Sequence, residues 1–393
     1  MTSNISTVFD KNDVSKAERI DKRKSAKPIE IWWNLVNSGS SSKEAAAVFI
    51  DIYLENLPTM AEMIFTGFCP HSCRHCIYPH DYARDNAALP IDTWKTIINK
   101  LYKQLAIKTY INIGRILDDN GLELLSYLRR RFEDIEVGLI DDGISILPHI
   151  EALKDIKLDW IDISVDGLER EHDLQRNCKG RFRETEKTLL GLKEKRIATK
   201  INILITATKI NTLTITDVIK FFNEKGYKNF FISPVIDFKP WKSNDQIKIN
   251  DQDWILLFKE IRSRLNEFTD VWIELFCCEI DQILPFIKSN VIDFHGFSFS
   301  DDSMYWDFSE GDNNLYLSFE PFSLAGVKDC VISPGGKIIY NKSMATGKIH
   351  PDFLIGCAVT DDLITIYQDL PNKAVFRNYL QEFNKELSVL RRY

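Results

Sequence analysis

The sequence has no hydrophobic run long enough to cross a membrane, since no apolar stretch approaches the ~18 residues that a spanning helix needs. The polar N-terminus also lacks the apolar core of a secretory signal peptide. An excess of basic charge is missing too, because the formal net charge of the 393 residues is −7. We therefore expect a cytoplasmic protein with neither a membrane nor a nucleic acid among its partners.

The composition is that of an ordinary globular protein, with 44% hydrophobic and 27% charged residues. The length suits one large α/β domain with additions, or two domains. Eight cysteines in a chain without an export signal favour metal or redox use over a disulfide framework. Residues 1–28 are polar and are predicted to form a flexible arm.

Three cysteines, Cys69, Cys73 and Cys76, stand at C-x3-C-x2-C directly after the apolar run 63–65, which is predicted to be a strand. Three thiolates from one loop can hold three irons of a cubane cluster and leave the fourth iron open for another ligand. A structural zinc site is the alternative, and it would add nearby histidines: His71, His75 and His80. Zinc sites usually draw ligand pairs from two separated segments, so the spacing favours the cluster.

After this loop, strand-like and helix-like segments alternate, which predicts βα units and a parallel sheet. The six predicted strands are 63–65, 110–113, 137–140, 160–165, 201–206 and 230–235. In folds of this kind the loops converge at the carboxyl ends of the strands, where the chemistry is collected.

The fourth and fifth predicted strands each carry a polar face. Period-2 alternation places Asp162, Ser164 and Asp166 opposite a row of aliphatic residues, and Asn202 and Thr206 repeat the pattern on the next strand. Such a row faces either a ligand-holding lumen or bulk solvent, and alternation alone does not separate the two.

The cysteine spacing and several later motifs together resemble the radical S-adenosylmethionine (SAM) superfamily over roughly residues 60–236. The later motifs are Ser164-Val-Asp166-Gly167, Glu171-His-Asp173, Arg176, Gly180-Arg-Phe182 and Asn211. The resemblance implies a partial (β/α)6 TIM-like barrel over residues 61–236. It also implies a [4Fe–4S] cluster on Cys69, Cys73 and Cys76, with SAM on the open iron. Reductive cleavage of SAM would give a 5′-deoxyadenosyl radical, fed by a flavodoxin- or ferredoxin-type electron donor.

The resemblance also implies a set of SAM contacts: His75, Gly114, Ser164, Asp166, Arg176 and Asn202. Ser164 and Arg176 would hold the carboxylate, Asp166 would lie near the ribose and His75 at the adenine. The second strand usually ends in Gly-Gly-Glu-Pro, but here residues 113–116 read Ile-Gly-Arg-Ile. Because arginine cannot accept a hydrogen bond from an ammonium group, we expect carbonyls around Gly114, or Asp118 or Asp119, to receive the SAM amine.

Residues 29–60 are predicted to form an N-terminal helical cap, and residues 237–393 a small α+β C-terminal extension. The extension resembles a degenerate SPASM or twitch domain, with a hairpin near 330–341 and an irregular aromatic stretch at 293–322 that serves as core or as a substrate lid. Four thiols outside the barrel could hold an auxiliary iron–sulfur cluster: Cys277, Cys278, Cys330 and Cys357. A remnant of the extension without a cluster is the alternative.

The functional prediction is a radical SAM enzyme that abstracts hydrogen from a small-molecule natural-product intermediate. The short N-terminal cap, which leaves little room for a leader-peptide domain, favours the small molecule. One alternative is a maturase of ribosomal peptides. Another, of a different class, is a non-catalytic iron–sulfur or zinc protein. Cys178, after the fourth strand, is a candidate hydrogen donor to a substrate radical, with an inert thiol as the alternative.

Overall fold

The computed structural model describes residues 28–76, 88–113, 116–235, 245–300, 303–324, 326–339 and 354–393. The predicted N-terminal arm, apart from Pro28, lies outside these residues, as do His80 and Gly114. None of the described helices combines the length and apolar character that a membrane span needs.

The first part of the chain alternates helices and strands as predicted. Its helices are α1 Pro28–Ser38, α2 Ser42–Glu55, α3 Ile91–Leu105, α4 Asp119–Arg131, α5 Ile150–Ile156, α6 Glu169–Arg176, α7 Arg181–Glu194 and α8 Ile215–Glu224, with a 3-10 turn at Leu147–His149. Its strands are β1 Met60–Met63, β2 Thr109–Asn112, β3 Glu136–Asp141, β4 Leu158–Ser164, β5 Ala198–Ala207 and β6 Asn229–Pro234. All six predicted strands are present, and the first begins three residues earlier than predicted.

The remaining elements follow residue 244. They are α9 Asp251–Ser263, β7 Trp272–Cys277, α10 Ile280–Lys288, β8 Ser298–Phe299, β9 Met304–Glu310, β10 Asn313–Phe319, β11 Asp329–Ile332, β12 Lys337–Ile339, β13 Leu354–Cys357, α11 Leu363–Gln368 and α12 Ala374–Leu390. Short 3-10 turns lie at Leu265–Glu267, Phe322–Leu324 and Leu370–Asn372.

All the described strands join one sheet in the order β13-β12-β11-β1-β2-β3-β4-β5-β6-β7-β10-β9-β8. The pairs from β1 to β7 are parallel, and β11 pairs in parallel with β1. This confirms the α/β class with a parallel, barrel-like core. Strands after residue 244 extend the sheet at both edges, so the carboxyl ends of β1 to β6 remain at its centre.

The helices cover the sheet through apolar stripes that the sequence predicts. In α3 the stripe Trp94, Ile97, Leu101 and Leu105 is at most 2% exposed, as expected for apolar residues spaced three or four apart. The helix starts after Pro90 and ends at Ala106, whose φ of 53° is left-handed. The apolar spacing therefore identifies the buried face of this helix, and Pro90 and Ala106 mark its two ends.

The N-terminal helices pack on the C-terminal helix α12. The ring of Phe49 lies 4.5 Å from that of Phe383 and 4.7 Å from that of Tyr53, measured between centroids. Near the end of α12, the Arg391 guanidinium donates to the carbonyls of Leu35 and Ser40. The two ends of the described chain are thus held together.

Two expectations for the C-terminal part had different outcomes. The hairpin near 330–341 is confirmed by the antiparallel pair β11–β12. The prediction of an irregular stretch over 293–322 is wrong for residues 304–319, which form the antiparallel hairpin β9–β10. The aromatic content hid the period-2 alternation around Gly311, whose φ of +61° closes the turn.

Candidate active site

The cysteine loop, residues 64–76, leaves β1 at the carboxyl edge of the sheet. Its start is tied to the neighbouring strands, because Ile64 N donates to Ile332 O and Ile113 N donates to Met63 O. Its end lies on α6, where Arg74 N donates to Gln175 O at 2.9 Å. The loop therefore spans the sheet edge between β11 and the helix that follows β4.

The three loop thiols are half-buried, and none forms a disulfide. Burial raises the pKa of Cys73 to about 11, although the positive charge of Arg176 acts in the opposite direction. No three His, Cys, Asp or Glu side chains in the described ranges converge as ligands of one metal ion. Cubane thiolates each bind a different iron and need no such convergence, so three thiols on one loop fit a cluster better than the zinc alternative.

His71 has two partners from other elements. Its Nε2 lies 2.7 Å from Oδ2 of Asp142, just after β3, and its Nδ1 contacts the guanidinium of Arg181 at the start of α7. Burial would raise the pKa of Asp142. The hydrogen bond from His71, the backbone N–H of Ile144 and nearby positive charge instead hold that pKa below its usual range. His71 is thus bound to protein groups rather than directed at a metal.

A buried ion pair lies beneath the loop. Nε of Arg176 is 2.6 Å from Oδ2 of Asp166, and the two residues are 9% and 0% exposed. Burial alone would raise the pKa of Asp166, but the charge of Arg176, then His75 and His172, and the N–H of Thr206 lower it. The Asp166 carboxylate is therefore ionised, and it holds the guanidinium in place.

Asp166 is an internal anchor rather than a ribose contact. Its carboxylate accepts from Thr206 N at 3.0 Å, its own N–H donates to Nδ1 of His172, and its carbonyl accepts from the Asn211 amide. With no exposed surface, the side chain cannot reach a ligand in this conformation. The motif predicted an important residue here, but its direct contact with the ribose finds no support.

The other predicted SAM contacts differ in how accessible their polar groups are and in the protein groups they contact. Ser164 ends β4 and is half-buried, so its hydroxyl remains partly accessible. The amide of Asn202 donates to Oδ1 of Asp162 at 2.7 Å, so the polar faces of β4 and β5 are hydrogen-bonded to each other. His75 lies 3.9 Å from Asp166 through its Nε2.

The two expected substitutes for the missing glutamate lie at the start of α4. Asp118 caps α4 by accepting from Gly121 N, and the Asp119 side chain is 97% exposed. Sequence reasoning missed Asp141 and Asp142 at the end of β3. Their signal was an acidic pair before Gly143, at the carboxyl end of a buried strand. Burial, followed by the charge of Asp142, raises the pKa of Asp141 well above its usual value.

Cys178 follows the end of α6, in the turn before α7, and its side chain is exposed. It lines a shallow surface groove with Arg170, Leu174 and Lys179, whereas the inward face of the helix carries His172 and Arg176. The exposed position of Cys178 therefore gives no support to its predicted role as a hydrogen donor, which stays a prediction.

The four thiols of the predicted auxiliary cluster are not brought together. Cys277 ends β7 and contacts Gln282, whereas Cys330 lies on β11, which is separated from β7 by six strands of the sheet. Burial raises the pKa of both to about 12, typical of structural thiols. Cys278 and Cys357 are half-buried, and Cys357 lies on the edge strand β13.

Residues 63–228 match the family model described as the Radical SAM superfamily. This part of the chain is a radical SAM domain. Members of this superfamily are enzymes, and their cofactors are a [4Fe–4S] cluster and SAM. The matched residues include Cys69, Cys73 and Cys76 and the Asp166–Arg176 pair.

Solved structures agree on the fold. The chain is similar to native anSMEcpe with bound AdoMet and Cp18Cys peptide, at 16% identity and a TM-score of 0.59, covering 83% of this chain and 84% of that one. It is also similar to Streptococcus suis SuiB bound to precursor peptide SuiA, at 14% identity and a TM-score of 0.60, covering 84% and 69%. No curated protein matches the chain.

Proposed function

We propose that this radical SAM enzyme acts on a peptide substrate. The observation that carries the proposal is similarity over most of the chain to two folds whose structures contain a peptide. The expectation of a small molecule depended on the shortness of the N-terminal cap. The anSMEcpe structure, 84% of which this chain covers, has a bound peptide, so the short cap is a weak argument against peptides.

The face of the sheet opposite the helices supports an elongated substrate. One row of residues in register crosses it from the cofactor site to the β9 edge: Ser164, Leu204, Phe231, Glu274, Tyr316 and Asp307. Five strand-to-strand steps of ~4.8 Å give about 24 Å, the length of about seven residues of extended peptide. Glu274 accepts from the Ser318 hydroxyl at 2.6 Å and is half-buried, so it offers a fixed carboxylate in this row.

Named residues of this chain would bind and orient the cluster and SAM. Cys69, Cys73 and Cys76 would hold the cluster, which with SAM supplies a hydrogen-abstracting radical when bound. Arg176, oriented by Asp166, would offer its remaining N–H groups to the carboxylate of SAM. The Ser164 hydroxyl, at the end of β4, would be a second donor to that carboxylate. This set binds and orients an amino acid-like cofactor, and the row that ends at Asp307 would position the substrate.

The test uses the anaerobically reconstituted chain, SAM and dithionite, with 5′-deoxyadenosine measured by liquid chromatography. We expect formation with wild type and with Cys178→Ala, and none with Cys69→Ala, which also loses iron. Candidate precursor peptides encoded by neighbouring genes are then added, and peptide mass is followed. Failure of every such peptide to bind or change mass, with turnover of a small molecule instead, would refute the peptide proposal.

A further inference from the structure

The residues between the cluster cysteines bind three separate parts of the domain. His71 contacts Asp142 after β3 and Arg181 at the start of α7. Ser72 accepts from the Asn177 amide at 3.1 Å, just after α6. Nε of Arg74 donates to Leu174 O at 3.0 Å on the same helix. These three residues between the cysteines therefore attach the loop to the rest of the domain. Among them, only His71 contacts the end of β3 and the start of α7.

The two partners of His71 contact its ring from opposite sides. An arginine has no acceptor, so Nδ1 must accept from Arg181. On the other side of the ring, Nε2 lies 2.7 Å from Oδ2 of Asp142. The His71 ring therefore lies between a guanidinium and a carboxylate, each within hydrogen-bond distance of a ring nitrogen.

Both partners are themselves held by rigid elements. Oδ1 of Asp142 accepts from Ile144 N at 3.0 Å, and the Arg181 side chain lies 3.7 Å from Glu184 one turn along α7. The first turn of α7 is fixed in addition, because Phe182 N donates to Oδ1 of Asp173 at 2.9 Å. The contact with His71 therefore joins the loop to groups that cannot follow it if it moves.

We propose that His71, Asp142 and Arg181 form a clamp that positions the cluster loop. His71 lies two residues from Cys69 and two from Cys73, so holding its ring limits the positions of both thiols. The clamp acts through these cysteines and touches neither substrate nor reacting atoms, which makes its members positioning residues. The proposal rests on the cluster assigned above, but not on the substrate being a peptide.

The test compares His71→Leu with His71→Gln in the full-length chain reconstituted anaerobically with iron and sulfide. Leucine keeps much of the histidine side-chain volume but has no polar atom to contact Arg181 or Asp142. Glutamine keeps an acceptor for Arg181 and a donor for Asp142. The matched control is His149→Leu, which removes a histidine whose Nδ1 lies 3.8 Å from the exposed Asp119 at the start of α4. Iron content, the rate of iron loss to EDTA and the EPR spectrum of the reduced cluster with and without SAM are recorded, with apo-protein melting as a folding check.

Loss of an outer contact to a metal site typically costs about 10–100-fold in affinity or activity. We expect His71→Leu to lose iron at least about tenfold faster than wild type and to give an altered EPR spectrum in the presence of SAM. His71→Gln should restore most of both properties, and His149→Leu should match wild type.

Iron loss at the wild-type rate with an unchanged spectrum in His71→Leu would overturn the clamp. Equal defects in the leucine and glutamine variants at unchanged melting would overturn its hydrogen-bonding basis. None of these readings needs a peptide, so failure of the peptide proposal leaves a different signature: an intact cluster and SAM response without turnover.

Discussion

The buried pair Arg176–Asp166 gives a prediction whose size follows from its surroundings. Arg176→Met keeps most of the side-chain volume but leaves the Asp166 carboxylate, which has no exposed surface, without its closest cation. Breaking a buried pair from one side costs about 3–5 kcal/mol, because an uncompensated charge stays buried.

The same reasoning fixes the pH dependence. In the wild type the pKa of Asp166 is lowered, so its contribution to stability is present above the unfolded-state pKa and is lost as the pH falls through the folded-state value. In Arg176→Met the folded-state pKa is raised, so the variant gains stability relative to wild type as the pH falls. The difference in the free energy of unfolding between the variant and the wild type should therefore narrow as the pH falls from 7 to 5.

The assay is guanidinium unfolding of the apo-protein at pH 7 and pH 5. Lys108→Met is the control, since it removes the exposed ion pair with Asp134 and should cost less than about 1 kcal/mol. The double variant Arg176→Met/Asp166→Asn should recover most of the loss, because no charge then stays buried. A loss for Arg176→Met as small as that of the control, or one that does not change with pH, would refute the reasoning.

Three further predictions follow from other sites. Cys178→Ser should leave 5′-deoxyadenosine formation and substrate turnover unchanged, because this thiol is exposed in a surface groove after the end of α6; loss of turnover alone would support its role as a hydrogen donor. Glu274→Ala should lower peptide turnover at least about tenfold, whereas SAM cleavage in the absence of peptide should be unchanged. The control is Glu260→Ala in α9, which should leave both activities unchanged. Burial raises the pKa of Glu386 to about 7 against the hydrogen bonds from Ser323, so the stability it contributes is full below pH 4.5 and is lost as the pH rises to 7. Glu386→Gln should remove that loss of roughly 3 kcal/mol, measured by unfolding at pH 4.5 and 7.5.

The elements of the barrel were predictable because their signals are local. Period-2 alternation in β4 and the stripe of α3 each depend on residues a few positions apart, and both are found in the structure. The β9–β10 hairpin was missed although it has the same kind of signal. Its buried aromatic residues, Trp306 and Phe319 among them, obscured the alternation with Asp307 and Ser309.

The candidate site was predictable only in part, because its contacts join distant residues. The motif drew attention to Asp166 and Arg176, but only the fold shows that they bind each other and that Asp166 is sealed from ligands. Counting thiols indicated a second cluster. The sheet order then placed Cys277 and Cys330 on β7 and β11, where each thiol is buried in different surroundings.

The cysteine loop shows why spacing alone underdetermines such a site. A C-x3-C-x2-C pattern specifies how far apart the thiols can be along the chain, but not where the loop points. Direction comes from the spacers, since His71 binds β3 and α7 while Ser72 and Arg74 bind the end of α6. Asp142 stands more than sixty residues away from His71 in sequence, so no local pattern could pair them. The geometry of the cluster is therefore a property of the whole parallel sheet, whose carboxyl edge brings these partners together.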